Sequence, residues 1–114
     1  MRVTGGSTLY LSGQGPFNGD NTLVGPGDYY VQSRQAFANV VTALDAAGAD
    51  FADVVKASYY IVDLDQNAVA QFARALYEVP GYSPDQPPAS TMVGVQALAY
   101  EGMLVEFDVT AVIA

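Results

Sequence analysis

Glu106 and Asp108 are the residues of this chain with the clearest chemical potential. They stand two apart, with Thr110 two further on, inside the run Met103-Leu-Val-Glu-Phe-Asp-Val-Thr-Ala-Val112. That spacing puts all three on one face of a β-strand, while Val105, Phe107, Val109 and Ala111 take the other. Carboxylates are disfavoured at strand centres, so their face must meet water, a partner subunit or a reactive site. Two carboxylates on one face can work as an acid–base pair, but neighbours on a single strand do not by themselves flank a cleft.

Composition narrows the chemistry further. The chain has no Cys and no His, which excludes disulfides, thiolate and imidazole metal sites, and the Ser-His-Asp and Cys-His routes to nucleophilic catalysis. No metal and no cofactor is expected. Four Lys and Arg against twelve Asp and Glu give a formal charge of −8, which repels phosphate backbones and anionic lipid, so neither nucleic acid nor membrane is an expected partner. The Gly-rich spots at Gly5-Gly6, Gly13 to Gly15 and Gly25 to Gly27 lack the Gly-Lys-Ser/Thr ending of a phosphate loop and read as turns.

A chain of 114 residues forms one domain, 1–114, and can bury roughly two-thirds of the surface it exposes unfolded. No apolar run is long enough to span a membrane and no basic-then-apolar leader is visible, so a soluble, cytoplasmic protein is expected. A hydrophobic fraction of 51% with only 14% charged residues is high for a small monomer and points to apolar surface buried against another copy.

The elements that must position the acids can be read in order. Residues 8 to 12 form a first strand, and a short second strand or arm runs from Phe17 through the Asn18-Gly19 turn to Leu23. Asp28 caps a helix whose stripe is Tyr30, Arg34, Phe37, Val41 and Leu44, closed by Gly48, with Gln32, Gln35 and Asn39 facing elsewhere. Asp50 to Asp53 form a capped turn, Val54 to Val62 a strand, and Gln66 to Glu78 a second helix burying Val69, Phe72, Ala73 and Leu76. The Pro-rich stretch 79 to 88 is a stiff loop. Two alternating runs, Pro87 to Val95 and Met103 to Val112, are expected to close the chain as an antiparallel hairpin. The fold class is α+β, a mostly antiparallel sheet with two helices on one face, the bare face being covered by self-association.

Several short motifs in register resemble the Rid family (RidA, also called YjgF) of reactive-intermediate deaminases. They are Ser12-Gly13-Gln14, Asp28, Gln32-x-Arg34-Gln35-x-x-x-Asn39-Val40, Ala46-Ala47-Gly48, Asp53-Val54-Val55-Lys56, Asp63-Leu64, Pro88-Ala89 and Val105-Glu106-Phe107-Asp108, covering residues 6 to 113. The resemblance implies a chorismate-mutase-like α+β fold, a homotrimer with three clefts between subunits, and cofactor-free hydrolysis of an enamine or imine to a ketone and ammonia. It also implies that Glu106 is the catalytic residue, orienting or activating the attacking water, with Ser12, Gly13, Ser90 and Met92 on the substrate side.

This sequence departs from the family pattern after Pro88-Ala89, where deaminating members carry an Arg that binds the substrate carboxylate and this chain has Ser90. A bidentate Arg–carboxylate contact supplies about 1.5–3 kcal/mol in a buried cleft, so a neutral or cationic imine is the expected substrate. Many relatives also carry an N-terminal Gly-Pro-Tyr step whose Tyr lines the cleft; this sequence begins beyond it, and Tyr77 and Tyr82 are its candidate substitutes. Some relatives carry an older ribonuclease label, against which the acidic charge argues here. A second reading is a catalytically silent trimer that binds a small metabolite or regulates a partner.

Overall fold

A computed structural model describes all 114 residues. The elements are β1 (Ser7–Gln14), α1 (Tyr29–Ala46), a single 3-10 turn (Phe51–Asp53), β2 (Val54–Val62), α2 (Gln66–Tyr77), β3 (Ala89–Val95) and β4 (Val105–Ile113). They form an α+β fold in which both helices lie on one face of a four-stranded sheet of order β1-β4-β2-β3.

Local chemistry explains the boundaries. The Asp28 carboxylate accepts the Val31 amide at 2.9 Å and starts α1, while Gly48 ends it at φ +80°, a left-handed conformation that glycine adopts without a Cβ penalty. Asp50 and Asp53 bond reciprocally to each other's turn, and Asp65 caps α2 through the Ala68 amide at 2.8 Å.

The expected closing hairpin is not present. β2 lies between β3 and β4, antiparallel to β4 and parallel to β3, so only two of the three strand pairings are antiparallel. The reason is that β2 is the apolar centre of the sheet, with Ala57, Tyr59 and Ile61 buried, and needs a partner on each edge. Its crossover through α2 delivers β3 parallel to it, in the manner of a βαβ unit. The expected second strand is likewise reduced to a single bridge between Phe17 and Leu23, and the left-handed residue in that turn is Asn21, φ 60°, rather than Gly19.

Both helices are also rotated from the expected stripes. α1 buries Gln32, Ser33, Ala36, Phe37, Val40 and Leu44, which leaves Arg34 exposed and Tyr30 and Val41 half-buried. α2 buries Ala68, Phe72, Ala75 and Leu76, with Val69 37% exposed. Ala36, Ala68 and Ala75 are almost fully buried, so small side chains take part of each covered face and shift it from the stripe that the larger residues alone would mark.

Phe37 is the hub of the core. Its ring centroid lies 4.5 Å from that of Phe107 in β4, 5.6 Å from Phe72 in α2 and 6.1 Å from both Tyr59 in β2 and Phe51. It therefore joins both helices to the two central strands. Phe37→Ala is expected to lower the unfolding free energy in urea by about 3–5 kcal/mol through lost burial and the cavity left behind.

Tyr59 gives a pH signature. Burial first, and the neighbouring Tyr82 second, push its phenol above the ordinary 10.0. The folded chain thus prefers the neutral form; the stabilisation is complete below about pH 10 and is lost as pH rises through the folded value. Chemical-denaturation titrations should show stability falling above about pH 10, with a shallower fall in Tyr59→Phe.

Candidate active site

The phase of β4 decides where the acids go. Val105, Phe107, Val109 and Ala111 are buried beneath the helices, so Glu106, Asp108 and Thr110 point to the opposite, uncovered face and are half-exposed. On that face Glu106 stands directly across from Tyr60 of β2, and Asp108 across from Ser58.

On the other side of β4 the strand β1 carries an irregularity. Leu11 pairs with Val109 and Gln14 with Phe107, so three steps on β1 match two on β4, one extra residue at Ser12-Gly13. The bulge brings the Gly13 backbone against Glu106. A Cβ at Gly13 would lie 2.7 Å from Glu106 Oε2 and 2.8 Å from its carboxyl carbon. Gly13 is thus required for space, to seat a carboxylate against main chain.

The segment after β1 is held by side-chain amides. Asn39 Nδ2 donates to the Gly15 and Phe17 carbonyls, both at 2.8 Å, and Gln35 Nε2 donates to Asn39 Oδ1 at 3.0 Å. Asn18 Oδ1 accepts the Asp20 and Thr22 amides and closes the turn. A polar cavity of about 390 Å³ opens here, lined by Gln14, Gly15, Phe17, Asn18 and Asn39 among others. Gln32, expected to face away from the core, is fully buried; it donates to the Gly25 and Gly102 carbonyls and accepts the Leu104 amide at 2.8 Å, tying the loop before α1 to the entry of β4.

Of the residues singled out from sequence, Ser12, Gly13 and Glu106 come together. Ser90 and Met92 do not join them within one chain. β3 aligns Ser90 with Ala57 and Met92 with Tyr59, and Met92 packs against the core, so both take the helix side with β2 intervening before β4. Tyr77, the last residue of α2, and Tyr82 beyond it meet edge to face with centroids 5.5 Å apart, and Tyr82 also packs on Phe51 on the helix side, away from Glu106.

The uncovered face holds residues that the sequence did not single out. Lys56, the only lysine, donates from Nζ to Thr91 Oγ1 at 3.2 Å. Tyr10 pairs with Thr110 and is 82% exposed, and Val93 aligns with Tyr60. Period-two alternation on β2 would have shown Lys56 and Tyr60 on one face, but only the strand order shows that this face is also that of Glu106. No three carboxylates converge as a metal ion would need. No helix is long and apolar enough to cross a membrane.

Residues 2–113 match the family model described as endoribonuclease L-PSP. The chain belongs to this family. It is 33% identical to Protein DfrA of Myxococcus xanthus over 98% of this chain and 81% of that one. It is 32% identical to the 2-iminobutanoate/2-iminopropanoate deaminase of Capra hircus, over 85% of this chain and 75% of that one. Among solved structures, a protein of unknown function of the conserved Rid family from Yersinia pestis superimposes with a TM-score of 0.83 at 33% identity, covering 95% of this chain and 80% of that one. RidA from an Antarctic Psychrobacter gives 0.79 at 29%, with 97% and 85% covered. Family membership thus joins imine deaminases and proteins carrying the endoribonuclease description on one fold.

The amide anchor at Asn39 is directly testable. Asn39→Ala removes two short bonds to loop carbonyls and is expected to cost about 1–3 kcal/mol. In hydrogen exchange it should speed the amides of residues 15 to 24 while leaving those of β2 unchanged.

Proposed function

We propose that the chain hydrolyses a small imine or enamine without a cofactor, in a cleft completed by a neighbouring copy within a homotrimer, with Glu106 positioning and deprotonating the attacking water. The observation that carries this reading is the Glu106 carboxylate seated against Gly13 on an uncovered sheet face. Relatives named as imine deaminases support the reaction class.

The chemistry asks little of the protein. Water oxygen adds to the imine carbon as Glu106 takes one of its protons and passes it to nitrogen; Glu106 then moves the hydroxyl proton of the carbinolamine to the same nitrogen, and the C–N bond breaks to give the carbonyl product and ammonia. An iminium is already electrophilic, so positioning and proton transfer through one carboxylate carry most of the work. An enamine first accepts a proton on carbon and then follows the same course.

Self-association is favoured by the uncovered face itself, which presents Tyr10, Tyr60, Val93 and Val112 beside its polar residues. β3 is an edge strand, so in a trimer Ser90 and Met92 of one copy can border the cleft of the next. With Ser90 in place of a guanidinium and a charge of −8, the substrate is neutral or cationic rather than a carboxylate. The same charge disfavours RNA as a substrate. The position of Ser90, away from Glu106 in the single chain, also favours a second reading, a silent trimer that binds a metabolite.

Mass tests the trimer common to both readings, and turnover separates them. Light scattering should return about 36 kDa, three times the 12.0 kDa chain. Neutral imines should be turned over, and Glu106→Gln should reduce the rate by about 10²–10⁴-fold with the fold intact. Gly13→Ala, which displaces the carboxylate, should lower turnover at least about tenfold while folding normally. Silence of the wild type across neutral, cationic and carboxylated imines would leave the metabolite-binding reading.

A further inference from the structure

We propose that the groove between α1 and α2 is a second small-molecule site, which takes a free apolar α-amino acid. The groove holds a cavity of about 370 Å³ on the helix side of the sheet, the side opposite Glu106. Its apolar wall is Phe37, Val41, Ala75 and Val79. Its polar rim is Arg34 from α1 and Glu78 just past α2.

The rim is held ready by Tyr30. The Tyr30 hydroxyl donates to Glu78 Oε1 and fixes that carboxylate. The Arg34 guanidinium lies 5.6 Å from the centre of the same ring, and Arg74 lies over it at 3.8 Å. Cation–π contact places both guanidinium groups; Arg74 also donates to Gln71 Oε1 at 3.0 Å, which leaves Arg34 as the guanidinium with its donors free. Arg34 and Glu78 share one cavity, yet they do not pair: no ion pair within 4.0 Å joins them.

A cation and an anion that line one apolar cavity without forming an ion pair select a ligand carrying both charges and an apolar branch. A simple anion meets the Glu78 carboxylate and the field of a chain of charge −8, and a simple cation leaves Arg34 without a partner. An α-amino acid with an aliphatic or aromatic side chain satisfies both ends. Its carboxylate accepts from Arg34, its ammonium donates to Glu78, and its side chain lies on Val41, Ala75 and Val79. A cavity of this size falls within the range of small-molecule sites. The rim is open to water and the ligand small, so the dissociation constant is on the order of 1 mM.

The test is a titration of the intact protein followed by amide chemical shifts, with leucine as the probe. Two controls each lack one charge: isocaproate has no ammonium and isoamylamine no carboxylate. Saturable shifts at Val41, Thr42, Ala75 and Val79 are expected, weakened at least about tenfold for either control and for Arg34→Gln or Glu78→Gln. Glu106→Gln should bind leucine as the wild type does, which keeps this site separate from the hydrolytic one. No shifts up to about 20 mM leucine, or equal binding of either singly charged control, would overturn the proposal.

Discussion

The alternation of β4 is the constraint on which the rest of the structure depends. Val105, Phe107, Val109 and Ala111 are all almost fully buried under the helices, and β4 is paired along both edges. A slip of one residue would push Phe107 out of its aromatic cluster and drive Glu106 and Asp108 into apolar packing. Burial of one phase therefore fixes the acids on the other. The reactive potential of the uncovered face is a by-product of how tightly the covered one is packed.

Fixing the face does not by itself fix the geometry, and amides rather than charges do the rest. Asn39 and Gln35 hold the segment after β1, and Gln32 joins two further loops from inside the core. Amides suit this role because each donates and accepts without the desolvation cost of a buried ion. The β1 bulge then places Gly13 where a carboxylate fits against main chain.

Much of this was legible in the sequence and some was not, for identifiable reasons. Capping residues Asp28 and Asp50 and the strand over Val54 to Val62 were readable because they rest on local chemistry. The pairing of β3 was not, since two alternating runs in succession look like a hairpin whether or not another strand lies between them. The role of Gln32 was hidden because its partners at Gly102 and Leu104 are some seventy residues away. Helix stripes were off by part of a turn because buried alanines, Ala36, Ala68 and Ala75, are weak in any hydropathy pattern. Glu106 stood out as a strand-centre acid, whereas Lys56 and Tyr60 share its face only through the sheet order.

The proposed function requires that a second copy cover the uncovered face before Glu106 can act there. Tyr10 offers the most direct test, being 82% exposed on that face and outside the core. Tyr10→Asp, measured for mass and imine turnover on the same sample, should give a folded single chain of 12.0 kDa without activity. A folded monomer with wild-type turnover, or a variant that keeps the wild-type mass and rate despite the buried charge, would contradict it.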